Sequence, residues 1–219
     1  VVEIPKSFYL ASDDTPFPSV SLSLEEPNGL IAVGGELSTN RLIEAYSSGI
    51  FPWYGEGEPV LWYSPNPRMV ITSKSLHVSK SLRKIIRSNR FEILIDCNFA
   101  KVIKQCKNIT RSTQTGTWID DNMVDAYIEL HEKGFARSVE VYDRGELVGG
   151  LYGVVLGEVF FGESMFSISA NASKVALVYL IQNLNYKLID CQVENDHLKR
   201  LGAYNISRYS FMLLLKELL

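Results

Sequence analysis

Between Ser138 and Ser164, three runs rich in β-branched and aromatic residues follow one another almost without a gap: Ser138 to Tyr142, Leu147 to Leu156 and Val159 to Ser164. The breaks between them are Asp143-Arg144-Gly145-Glu146 and Gly157-Glu158. Turns this short join only antiparallel neighbours, because a parallel partner needs a crossover of about a dozen residues or more. The middle of the chain is therefore committed to a meander, and the remaining elements must cover its faces or extend its edges. Upstream, Phe91 to Asp96 reads as a strand. Phe99, Val102, Ile103 and Cys106 then fall on one helical face, and Met123, Ala126, Tyr127 and Leu130 on another in a helix ending at Gly134. Downstream come a helix from Asn171 to about Asn185, a strand from Lys187 to Gln192 and a short helix through Leu201.

Ahead of Pro67 the character differs. Pro16-Phe17-Pro18, Glu26-Pro27-Asn28-Gly29, Gly34-Gly35, Phe51-Pro52-Trp53 and Ser64-Pro65-Asn66-Pro67-Arg68 crowd turn formers with aromatics, and prolines at that density exclude long helices. Only Ser38 to Gly49 reads as a helix, with Ser38 as cap, Leu42, Ile43 and Tyr46 on one face, and Gly49 as stop. The expected class is α+β, with a small N-terminal α+β domain over residues 1–67 and a second domain over 68–219. The second would carry a mixed, mostly antiparallel sheet flanked by helices. Its order, β-α-α-β-β-β-α-β-α, resembles the GNAT-like N-acyltransferase fold of acetyl-CoA-dependent enzymes, although element order does not specify substrate. Those enzymes wrap the CoA pyrophosphate in a glycine-rich loop at a helix N-terminus. Here the corresponding segment, Ser164 to Lys174, contains no glycine.

Hydrophobic residues at 46% and charged residues at 21% mark a globular chain. Val1 to Leu10 has no basic start leading into a long apolar run, and no segment has the length of a membrane span, so a soluble, cytoplasmic protein with no membrane contact is expected. Cys97, Cys106 and Cys191 are an odd number without C-x-x-C spacing, and His77, His131 and His197 lack the i, i+4 spacing of a helical metal site. No metal is expected. The net charge is −3, but seven basic residues and no acidic one lie between Arg68 and Arg90, so the other fifteen face all 25 acids. Within that island Ser79 caps a helix whose Leu82, Ile85 and Ile86 share an arc. Lys80, Arg83, Lys84 and Arg87 point the other way, with Arg90 beyond. Such a face suits phosphate, and it also suits plain solvation.

Several motifs in order then identify the chain with a family. Glu26-Pro27-Asn28-Gly29-Leu30, Gly34-Gly35-Glu36-Leu37-Ser38, Gly49-Ile50-Phe51-Pro52-Trp53, Trp62-Tyr63-Ser64-Pro65-Asn66-Pro67-Arg68, Gly116-Thr117-Trp118-Ile119, Leu147 to Val154, Phe161 to Ser167 and Leu188-Ile189-Asp190-Cys191-Gln192 together resemble the leucyl/phenylalanyl-tRNA–protein transferases. Each alone is weak; eight in the family's order and spacing are specific. The chain departs from the family's pattern at Ile168, where Arg is common, and at Arg137, where His is common.

The resemblance implies an enzyme without cofactor that takes Leu, Phe or Met from Leu-, Phe- or Met-tRNA. It would place that residue on proteins with N-terminal Arg or Lys, marking them for degradation by the N-degron pathway. An aminoacyl ester is already activated, so such an enzyme needs positioning and charge stabilisation more than a nucleophile of its own. The acceptor α-amine, with a reference pKa of about 8, needs an oxygen that orients it and accepts its proton. By resemblance Asp190 polarises Gln192, and Gln192 meets the amine; strand alternation would put both on one face, with Cys191 on the other. Glu163 would orient the donor aminoacyl group. Leu151, Phe160, Met165, Leu180 and Ile189 would line the donor pocket, although ordinary core has the same periodicity. Trp53 and Trp118 would hold the 3′-terminal adenosine, with Tyr46 and Tyr127 nearby or, equally, packed in the core. Lys80, Arg83, Lys84, Arg87 and Arg90 would meet acceptor-stem phosphates. A CoA-dependent acetyltransferase and a non-catalytic tRNA-binding module are the alternatives; the first expects the missing glycine loop, the second expects binding without transfer.

Overall fold

In the computed structural model, which describes residues 4–55, 57–108 and 119–219, the three central runs pair antiparallel as β7 (Ala136–Asp143), β8 (Glu146–Leu156) and β9 (Val159–Ser167). Arg144 and Gly145 turn the first hairpin with φ of 55° and 81°, the positive pair that matches the twist of the strands. β6 (Glu92–Ile95) adds antiparallel to β7, and β10 (Leu188–Gln192) lies parallel to β9 after a crossover through α5 (Ala172–Asn183). Two further strands extend the sheet beyond the hydrophobic pattern. β5 (Arg68–Ile71) runs antiparallel to β10, and β11 (Tyr204–Ile206) antiparallel to β5, giving the order β11-β5-β10-β9-β8-β7-β6. Among the described residues the sheet has a single parallel pair, so it is mixed and mostly antiparallel, as expected.

Alternating side chains feed two cores. On one face α3 (Phe99–Asn108) and α4 (Asp121–Glu132) bury Val102, Ile103, Tyr127 and Leu130 with Tyr152, Val154 and Phe161. On the other, α2 (Lys80–Arg87) packs on α5, joining Leu82, Val175 and Val178 to Val139, Leu151, Phe160 and Ile189. The helix starts are set by side chains: Ser79 accepts from the Leu82 N–H, and Asp120 from that of Met123.

The N-terminal segment forms a second sheet, ordered β1 (Tyr9–Leu10), β2 (Leu30–Gly34), β4 (Leu61–Tyr63), β3 (Phe51–Pro52), with α1 (Thr39–Ser47) capped by Ser38. Its Ile31, Leu42, Tyr46, Phe51 and Trp62 belong to the same buried cluster as Tyr127, Phe161 and Phe211. Phe211 comes from α7 (Arg208–Leu218), which follows α6 (Asp196–Lys199) and β11 and seats Phe211 and Leu215 in that core. No described helix is long and apolar enough to cross a membrane.

Candidate active site at the parting of two strands

β9 and β10 pair over three positions only: Leu188 with Val159, Ile189 with Phe160, and Asp190 with Phe161. Beyond these β10 continues only to Gln192, beside β5, while β9 runs on beside β8, and each strand carries a bulge where they part. On β9, Gly162 faces Gly153 and Ser164 faces Tyr152, which makes Glu163 the extra residue. On β10, Asp190 faces Val70 and Gln192 faces Met69, which makes Cys191 the extra one. A bulge breaks alternation and re-aims side chains. The expected alternation of Asp190, Cys191 and Gln192 is therefore corrected: Gln192 leaves the strand geometry at φ 64°, a left-handed conformation that needs outside support in a non-glycine residue. Asp190 gives that support, its Oδ1 accepting the Gln192 backbone N–H at 2.9 Å. At the β9 bulge β8 and β9 approach so closely that a Cβ on Gly153 of β8 would lie 2.2 Å from the Phe161 carbonyl oxygen of β9.

Glu163 sits at the centre of a buried network. Tyr46 Oη donates to its Oε1 at 2.7 Å, Tyr127 Oη to its Oε2 at 3.0 Å, and Gln192 Nε2 to Oε1 at 2.8 Å. The two tyrosine oxygens also lie within hydrogen-bond distance of each other. Burial pushes the Glu163 carboxyl up to about 7, against the lowering effect of the two tyrosine hydrogen bonds; nearby Asp190 raises it and Arg68 lowers it. Asp190 is fully buried and spoken for: Arg68 Nε donates to Oδ1 at 2.8 Å and Nη2 to Oδ2 at 2.6 Å, a forked, charge-assisted pair. The guanidinium also donates to the Gly49 carbonyl at 3.2 Å and lies between the Phe51 and Phe211 rings, 4.7 and 4.6 Å from their centroids. Asp190 thus reaches Gln192 through the main chain, and the carboxylate on the Gln192 amide is that of Glu163.

A cavity of about 830 Å³ opens at this point. Leu151, Phe160, Met165 and Ile189 line it beside Glu163, Asp190 and Gln192. Leu180 does not: α5 sends Ser173 and Leu177 to the cavity, while Leu180, a turn further on, is sealed in the core. Trp53 forms part of the wall, 38% exposed; Trp118 lies outside the described residues. Tyr46 and Tyr127 have no exposed surface, so neither offers a ring to a base, and their hydroxyls serve Glu163 instead. Cys191 also lines the cavity, with its thiol pushed up by burial first and by the Asp190 charge second, an environment that favours the thiol over the thiolate. Lys80, Arg83, Lys84 and Arg87 line one shared surface groove. Arg90 is diverted, its Nε and Nη2 donating to Asp143 Oδ2 at 2.9 and 2.7 Å. Arg68 is the participant that residue patterns did not reveal; the available signal was a lone cation opening the apolar run Met69-Val70-Ile71.

Comparison with known proteins agrees on one family. The leucyl/phenylalanyl-tRNA protein transferase model matches residues 70–216, and the model of that family's N-terminal domain matches residues 35–66. The chain is 54% identical over 210 residues to the leucyl/phenylalanyl-tRNA–protein transferase of Nitrosospira multiformis, covering 94% of this chain and 90% of that one. It is 52% identical to that of Pseudomonas fluorescens strain Pf0-1, covering 93% and 91%. Among solved structures, a GCN5-related N-acetyltransferase from Kribbella flavida aligns at 9% identity with a TM-score of 0.38, over 79% of this chain and 62% of that one, a likeness too loose to carry an argument. By the family model and by identity over nearly its whole length, the chain belongs to the leucyl/phenylalanyl-tRNA protein transferase family.

Proposed function

We infer that this chain transfers leucine, phenylalanine or methionine from aminoacyl-tRNA to the α-amino group of proteins beginning with Arg or Lys, in the cytoplasm where charged tRNA is made. The observation that carries the reading is the meeting, in one cavity, of an apolar stretch of lining with the Glu163–Gln192 pair, 2.8 Å apart. An apolar side chain fills the one, and the ester to which it is attached then lies beside the other. The donor wall of Leu151, Phe160, Met165, Leu177 and Ile189 would seat an unbranched-at-Cβ side chain; Met165 adapts to several shapes, and rejection of β-branched residues by shape is worth only a few kcal/mol.

Trp53, and with it Trp118, would stack the terminal adenosine. Residues 1–67, read as a small domain, would supply that tryptophan to the acyltransferase domain of residues 68–219. The α2 face of Lys80, Arg83, Lys84 and Arg87 would take the acceptor-stem phosphates. The chemistry asks for no cofactor, since the ester supplies its own driving force.

The test is direct. Purified protein mixed with labelled Leu-tRNA and a peptide beginning with Arg should move the label onto the peptide. Intact Leu-tRNA and unlabelled peptide, with acetyl-CoA consumed instead, would contradict the assignment.

A further inference from the structure

We propose that Glu163 is the positioning residue that polarises Gln192 during transfer, and that Asp190 acts only by fixing the backbone on which Gln192 stands. The inference rests on the transferase reading above. Its first support is the allocation of hydrogen bonds. Asp190 has both oxygens in the Arg68 fork, and its one bond to Gln192 is to the main-chain N–H. The Gln192 side-chain amide donates to Glu163 Oε1 at 2.8 Å, which leaves the amide oxygen as the acceptor for an incoming amine N–H.

The second support is what surrounds Glu163. Its two tyrosine partners, Tyr46 from α1 and Tyr127 from α4, are fully buried hydroxyl donors that hold the carboxylate in one orientation. A side chain so held is preorganised for the moment at which charge develops. As the amine nitrogen bonds to the ester carbonyl carbon, positive charge grows on that nitrogen. The Gln192 oxygen accepts the hydrogen bond of the increasingly acidic N–H, and the Glu163 charge, one amide away, stabilises it. The bond from the carbonyl carbon to the ribose oxygen then breaks, and the amine proton ends on that oxygen, so amide and free tRNA hydroxyl are formed with no net proton taken up by the protein.

This arrangement works with Glu163 ionised. The groups that face it are Tyr46 of α1, Tyr127 of α4 with Tyr152 of β8 beside it, Asp190 of β10 and Arg68 of β5; His197 of α6 shares the cavity. Burial holds the Glu163 carboxyl near 7, and the tyrosine hydrogen bonds keep it from rising further. Loss of one of those bonds therefore moves its ionisation to higher pH.

The experiment measures kcat against pH for the full chain, Tyr127→Phe and Glu163→Gln, with saturating Leu-tRNA and an Arg-first peptide. The acceptor amine, titrating near pH 8, adds the same limb to every profile. Wild type should show a rising limb with its midpoint near 7. In Tyr127→Phe that midpoint should move to higher pH, and in Glu163→Gln it should vanish, with kcat at pH 8 lowered on the order of 100-fold and KM for Leu-tRNA changed far less. Superimposable profiles for Glu163→Gln and wild type, or an unmoved midpoint in Tyr127→Phe, would overturn the relay while leaving the transferase reading intact. Absence of transfer by wild type would remove the transferase reading itself. Should Glu163→Gln fold poorly, Tyr127→Phe and Tyr46→Phe carry the test, since each removes one hydroxyl oxygen.

Discussion

An ionised Glu163 is expensive to keep. Its carboxyl titrates about 4.5 in reference conditions and about 7 in the fold, so the native state favours the protonated form. The stability that follows is fully present below about pH 4.5 and is lost as pH rises through 7; the whole difference is about 3 kcal/mol. Denaturant unfolding at pH 5 and pH 8 should therefore show wild type losing up to that amount relative to Glu163→Gln, and parallel pH curves would contradict it. Arg68 is costly in another way, because without it Asp190 remains charged and buried. Arg68→Met should lower stability by about 3–5 kcal/mol, a fall in Tm on the order of 10 °C for a chain of this length, and Arg68→Lys should recover little, since an ammonium cannot make the fork. A Tm for Arg68→Met within a degree or two of wild type would show that the pair does not hold the fold. These residues were unequally legible. Glu163 and Gln192 stand out as polar groups in apolar strands, whereas Arg68 finds its partner 122 positions away, and no local pattern links them.

Elements with strong local signals formed where their sequences place them. The hairpin turn at Arg144-Gly145, the Ser38 and Ser79 caps and the amphipathic faces of α3 and α4 are all encoded within a few residues. β5, β11 and α7 were not legible, because a four-residue and a three-residue strand become strands only by pairing with a neighbour, and α7 gains its place from two buried side chains, Phe211 and Leu215. The bulges were hidden for a related reason: alternation assumes an unbroken ladder, and Glu163 and Cys191 interrupt it. At this scale the basic helix makes a separate prediction. Reversing Arg83 and Arg87 to Glu should weaken tRNA binding and flatten the plot of log K against log salt by about 0.9 for each phosphate no longer neutralised. Arg90→Ala, its charge already met by Asp143, should leave that slope nearly unchanged. Equal effects of the two substitutions in a salt titration would place Arg90 on the tRNA after all.

Across the whole molecule, the cavity lies where the two sheets share a core. Phe51 from the small sheet and Phe211 from α7 enclose the Arg68 guanidinium that holds Asp190, and Trp53, directly after β3, walls the cavity. Loss of packing at either sheet therefore reaches the Glu163–Gln192 pair through Arg68. The central meander made the fold class legible, and the ordered motifs made the family legible. How the proline-rich N-terminal segment turns back onto β9 and β10 depends on contacts between distant residues, for which local pattern has no sign. The central claim is that bond formation takes place at Gln192 while tRNA is gripped elsewhere. Single-turnover transfer from preformed complexes with Leu-tRNA tests it most directly: Gln192→Ala should slow leucine transfer on the order of 100-fold or more with its tRNA Kd unchanged, and transfer at the wild-type rate, or a loss confined to tRNA affinity, would contradict it.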